Sequence, residues 1–171
     1  MLQCTVAVAF SDPSNARMKP YTEISSLDLY GEICDCRDEN ARREMADELS
    51  KRSGDSTAVS LLGNCFLFGQ GRRKCITHAI HLLKRGCAMG SGPACAIVGY
   101  NYHVGEFSQQ NLLLAIFYYK RTVRLRDPDN SACCAENLAS IFCKLGQERK
   151  AQYWGNRAVE LAHESQRARA K

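Results

Sequence analysis

Three stretches, Ala79-Ile-His-Leu-Leu-Lys-Arg-Gly-Cys87, Ala115-Ile-Phe-Tyr-Tyr-Lys-Arg-Thr-Val123 and Ala151-Gln-Tyr-Trp-Gly-Asn-Arg-Ala-Val159, are versions of one pattern whose first alanines stand 36 and 36 residues apart. A small residue leads, a bulky one follows three places on (Leu82, Tyr118, Trp154), and a compact one returns at the seventh place (Gly86, Thr122, Ala158). Positions three, four and seven apart share one side of an α-helix, so each stretch predicts a helix that packs by that side. The small residues let a neighbouring helix come close and the large one fills the space beside it. These are packing positions.

Ahead of each of these helices stands another. Leu62-Gly-Asn-Cys-Phe66-Leu-Phe-Gly69 matches Val98-Gly-Tyr-Asn-Tyr102-His-Val-Gly105, again 36 residues on, and Leu138-Ala-Ser-Ile-Phe142 follows after 40. The extra four residues lie in the turn Arg126-Asp-Pro-Asp-Asn130, and a shorter internal loop restores the register of the next helix. Gly69 and Gly105 suit helix C-termini, where φ turns positive. Gly63, Gly99 and Ala139 are the small residues expected where the two helices of a unit touch. A fixed period of this length in helix pairs is the signature of a solenoid, in which each unit covers its neighbour.

The motif Leu-Gly-x-x-Tyr-x-x-Gly, followed 13 residues after the aromatic by alanine and then aromatic pairs and Lys, resembles the Sel-like repeat, a relative of the tetratricopeptide repeat. Asn137-Leu-Ala-Ser-Ile-Phe-Cys-Lys-Leu-Gly-Gln in the last copy looks more like an ordinary tetratricopeptide unit. The resemblance implies an all-α, right-handed solenoid of antiparallel helix pairs, with three repeats over residues 56–162. Glu106-Phe-Ser stands where another glycine is expected, and Leu82-Leu83 replaces aromatics. Residues 21–55 read as a degenerate repeat or cap, with Thr22 to Cys34 and Glu39 to Lys51 as its helices and Ser25-Ser-Leu-Asp28 as a capping start. Residues 163–171 read as a charged tail on the last helix, and 1–20 are unassigned.

At 171 residues the chain suits one domain, and its composition, 45% hydrophobic and 24% charged, is that of a folded protein. The longest apolar run in a helical region, Leu112 to Phe117, falls far short of the roughly 18 residues of a membrane span, so no insertion is expected. Met1 to Phe10 has no basic flank and no clear cleavage site, which argues against a secretory signal, and Asp12 beside only Arg17 and Lys19 makes a poor transit peptide. The net charge is +5, with basic clusters at Arg72-Arg73-Lys74, at Lys120, Arg121, Arg124 and Arg126, and from Arg167 to Lys171. No aromatic-and-glycine recognition motif accompanies them, so they read as solvated surface and not as a nucleic-acid site.

Ten cysteines make spacing decisive. Cys87 and Cys95 flank a turn with Gly90, Gly92 and Pro93 and are the best disulfide candidates; in a reducing compartment both are small core residues instead. Cysteine-rich Sel-like proteins of oxidising compartments pair cysteines at this separation in every unit, whereas here Val123 and Ala135 occupy the next positions. Cys34-Asp-Cys36 and Cys133-Cys134 lack zinc half-site spacing, Cys4, Cys65, Cys75 and Cys143 are scattered, and His78 with His81 has no carboxylate ligand nearby. Gly69-Gln-Gly71-Arg72-Arg73-Lys74 lacks the full phosphate-loop spacing. No nucleophile, base and orienting group assemble, so neither enzyme chemistry nor a cofactor is expected.

The expected function is a non-catalytic scaffold whose first helices line a concave face for another protein or peptide, as part of a larger complex. Partner-binding candidates on that face are Ser60, Asn64, Tyr100, Asn101, His103, Glu136 and Ser140. The alternative is a disulfide-stapled redox or assembly factor. The expected compartment is the cytoplasm, or the mitochondrion under that alternative.

Overall fold

The computed structural model describes residues 21–170. The segment 1–20, with Cys4 and the leader sequences considered above, lies outside the described residues, as does Lys171. A short 3-10 turn, Tyr21–Glu23, precedes eight α-helices: α1 (Ser26–Asp35), α2 (Glu39–Lys51), α3 (Ser56–Phe68), α4 (Ile76–Ala88), α5 (Gly92–Val104), α6 (Leu112–Arg124), α7 (Ser131–Lys144) and α8 (Glu148–Arg169). No strand occurs among the described residues. Packing is closest within α3/α4, α5/α6 and α7/α8, and each pair meets the next through α4 against α5 and α6 against α7. The architecture is an all-α solenoid of helix pairs. The charged residues from 163 onward continue α8.

Each pair is closed by the same hydrogen bond. The N–H that opens the second helix donates to the carbonyl of the aromatic residue in the first: Cys75 to Phe66 at 2.9 Å, Asn111 to Tyr102 at 2.8 Å and Gln147 to Phe142 at 2.9 Å. The donors recur every 36 residues, whereas the acceptors do not, because the third internal loop is four residues shorter. The compensating insertion is the turn before α7. There Arg126 takes φ 54°, and Asp127 Oδ1 accepts from both the N–H and the Nδ2 of Asn130 at 2.8 and 2.7 Å.

Glycine permits the close approach inside the pairs. A Cβ on Gly63 would stand 3.0 Å from Leu83 Cγ, and one on Gly99 would stand 2.8 Å from Tyr119 Cδ1. Gly86 lies against Ser60, where a Cβ would come to 2.3 Å from the Oγ. At Gly69 and Gly105, φ of 77° and 78° ends α3 and α5 in the left-handed region, and the cap N–H groups reach back to Cys65 and Asn101. Repeated arginines fasten one unit to the last: Arg85 donates to the Ser53 carbonyl at 3.2 Å and Arg121 to that of Ala88 at 3.0 Å.

The core follows the pairs in series. Leu29, Ile33, Met45, Leu49, Val59, Leu62 and Cys65 join α1, α2 and α3. Leu83, Cys87, Cys95 and Val98 join α4 to α5, and Tyr119, Cys134, Leu138, Ile141 and Phe142 join α6 to α7. Asp55 caps α3 through Thr57 N–H and also accepts from Ser26 Oγ at 2.7 Å, tying α1 to α3.

Candidate functional site: a groove on the inner face

A groove of about 400 Å³ runs across the first helices α3, α5 and α7. One wall is Leu67 and Phe68 at the end of α3, and the other is Cys133, Cys134 and Asn137 on α7, with Asn130 at its N-cap. Ala96, Ile97, Tyr100 and Asn101 of α5 lie between them, Glu106 and Phe107 close one end, and Tyr119 of α6 contributes to the floor. Phe68 and Tyr100 are 63% and 52% exposed, a large apolar surface to leave in water at the mouth of a groove. Glu106 is the one formally charged lining residue.

Asn101 is the chemically distinctive member. It is 3% exposed; its Oδ1 accepts from Ser108 Oγ at 2.7 Å, and its Nδ2 has no partner. A buried amide donor left unpaired costs roughly 1–3 kcal/mol. On the same face, the buried Oδ1 of Asn64 is an acceptor without a donor. Tyr119, packed within 3.4 Å of His103 Nδ1, has its phenol pushed up by burial, and it stays neutral. Burial, reinforced by Lys144, lowers the pKa of His103 below 6.5, so its ring is neutral at pH 7. Burial likewise pushes the Cys134 thiol up to about 12, which removes it as a nucleophile. The groove is therefore uncharged along most of its length and offers amide hydrogen bonds.

Of the seven residues expected on this face, the groove takes in Tyr100 and Asn101. Asn64 and His103 are half-buried beside it, and Glu136 and Ser140 are exposed on α7 but do not line it. Ser60 requires a correction: it is 5% exposed, its Oγ donates to the Ser56 carbonyl at 2.6 Å, and Gly86 covers it. Sequence register placed Ser60 on the inner face, but the absent side chain of Gly86 draws α4 over it. Cys133 and Asn137 were missed because the longer turn before α7 shifts which of its residues meet α5. The asparagine was the available signal, since its side chain suits neither a helix interior nor a packed core.

Cys87 and Cys95 are joined across the α4–α5 turn, with Cα atoms 4.7 Å apart. Cys34, Cys75, Cys133 and Cys143 are exposed thiols, Cys36 is half-buried, and Cys65 and Cys134 are buried. His78 packs edge-on against Phe66, with ring centroids 4.5 Å apart. Among the described residues no group of three or more His, Cys, Asp or Glu side chains is placed to hold a metal. No helix there is long and apolar enough to cross a membrane.

The fold is a tetratricopeptide-like helical repeat. Within that class the fold is of the Sel-like kind. A Sel1 repeat protein from Oxalobacter formigenes superimposes with a TM-score of 0.64 at 17% identity, over 80% of this chain and 54% of that one. MamA superimposes with a TM-score of 0.58 at 16% identity, over 83% of this chain and 79% of its own. The chain thus spans about half the length of the Sel1 repeat protein it matches. No protein-family model and no curated protein matches the sequence.

Proposed function

We propose that the protein is a non-catalytic interaction scaffold that holds an extended, largely uncharged peptide segment in the groove between α3, α5 and α7. The observation that carries this reading is the unpaired, buried Nδ2 of Asn101 within an otherwise apolar groove. A peptide carbonyl satisfies that donor while neighbouring apolar side chains cover Phe68, Ile97 and Tyr100. A volume of about 400 Å³ accommodates a few such side chains and no folded domain. The helical-repeat likeness to the Sel1 repeat protein and MamA is compatible with this role.

The test is panning of a random peptide library on the full chain, with Phe68→Asp and Tyr100→Asp as counter-screens. Both positions are exposed, so the variants keep the fold. Enriched peptides are expected to be apolar at their centre and to bind either variant at least about tenfold more weakly, a difference of about 1.4 kcal/mol. Peptides retained equally by both variants would overturn the assignment.

A second reading draws support from the Cys87–Cys95 bridge: an assembly factor of an oxidising compartment, mitochondrial and not cytoplasmic. Mass spectrometry of the native protein without reductant tests it. A Cys87–Cys95 crosslinked peptide supports that reading, and complete alkylation of both thiols removes it.

A further inference from the structure

Charge is divided unevenly between the two helices of the pairs α3/α4 and α5/α6. The inner helices α3 and α5 contain no Asp, Glu, Lys or Arg, whereas the outer helices α4 and α6 carry Lys84, Arg85, Lys120, Arg121 and Arg124 and no acid. Among the described residues none of these five cations meets a carboxylate. Arg85 and Arg121 donate to backbone carbonyls, Lys84 lies over the Tyr102 ring, and Lys120 over those of Phe142 and Trp154. Neutral partners fix four of these side chains and leave their positive charge uncompensated.

Along α6 the cations meet an exposed apolar stripe. Leu113 and Phe117, 78% and 55% exposed, precede Lys120 and Arg124 on one line of the helix, at spacings of four, three and four residues. That line is about 17 Å long at the usual helical rise. At its basic end Phe117, Lys120, Arg121 and Arg124 enclose a dent of about 100 Å³, large enough for a carboxylate side chain.

From this geometry we infer that the outer face of α6 is a docking surface for an acidic amphipathic helix of another protein. Such a helix lays leucine-like side chains on Leu113 and Phe117 and places a carboxylate in the dent beside Arg124. Charge complementarity selects an acidic partner, because α6 carries three cations, Lys120, Arg121 and Arg124, and no acid of its own to repel it. The lengthwise division, apolar in the first turns and basic in the last, selects a rod over a bilayer. A membrane-lying helix needs its cations flanking the apolar face along its whole length. The inference does not rest on the groove reading, since the two surfaces use different helices.

The test uses the full chain and fluorescence anisotropy with a labelled synthetic helix of about 14 residues, roughly the length of α6, bearing leucine on one face and glutamate on the other. Controls are the same peptide with lysine for glutamate, and phosphatidylcholine vesicles containing phosphatidylserine. The glutamate peptide is expected to bind at about 50 mM salt and to weaken about tenfold by about 300 mM, as the charges are screened. Phe117→Asp and Arg124→Glu, both at exposed positions, are expected to weaken it at least about tenfold with an unchanged circular dichroism spectrum. Phe68→Asp, in the groove, is expected to leave it unchanged. Equal binding of the lysine peptide, indifference to Phe117→Asp, or binding of vesicles without binding of the glutamate peptide would each overturn the proposal.

Discussion

Gly99 and Gly155 are both helical glycines, yet substitution acts on them in opposite directions. At Gly99 an added Cβ would stand 2.8 Å from the ring of Tyr119, which is 1% exposed. Gly99→Ala is expected to destabilise by about 1–3 kcal/mol, the usual cost of overpacking. At Gly155 nothing lies within 4 Å, so Gly155→Ala is expected to stabilise by about 0.5–1 kcal/mol, the difference in helix propensity. Urea unfolding of the two variants beside the parent protein checks both signs. The role of Gly99 was legible in the sequence because it recurs with Gly63 at the repeat spacing. The burial of Ser60 was not, since it depends on Gly86 in a different helix. His103 gives a pH signature. Its pKa is lowered in the folded state, so the unfolded chain binds more protons and stability falls as pH drops below the ordinary value of 6.5. An NMR titration should find the His103 ring titrating below 6.5, and His103→Gln should flatten the loss of stability over that range.

At the level of elements, helix positions followed from periodicity, and the third pair kept its register because an inserted turn and a shortened loop offset each other. What the sequence left open was which residues of α7 meet its neighbours. The turn from Arg126 to Asn130 decides that for α7, through the Asp127 carboxylate that accepts from Asn130 and a positive φ at Arg126 that no spacing rule announces. The α4–α5 connection is held covalently, and reducing it should cost about 2.5 kcal/mol on the chain-entropy account of a loop this short. Thermal unfolding with and without reductant, repeated on Cys87→Ala/Cys95→Ala, measures the cost; an unchanged midpoint in both would show that the bridge contributes nothing to stability. Native alkylation should reach Cys34, Cys75 and Cys143 first. Cys65 and Cys134 should react only on unfolding, since burial pushes both thiols up to about 12.

For the whole molecule, contacts run from each pair to the next and not across the array, so stability is a sum over neighbours. Hydrogen exchange should reflect this: α5 and α6, covered on both sides, should exchange slowest, and the exposed residues at the end of α8 fastest. Mass-spectrometric exchange at peptide resolution tests that order, and uniform protection along α8 would contradict it. The repeat architecture was legible because packing repeats; the surfaces were not, because what differs between units is what faces water. The division of charge between inner and outer helices has a dynamic consequence. Near a polyanion the protein experiences a torque that turns the backs of α4 and α6 forward, with a reach of about 8 Å at physiological ionic strength. Encounters of that kind are oriented before contact, and the groove arrives facing the bulk solvent, still accessible to a second molecule.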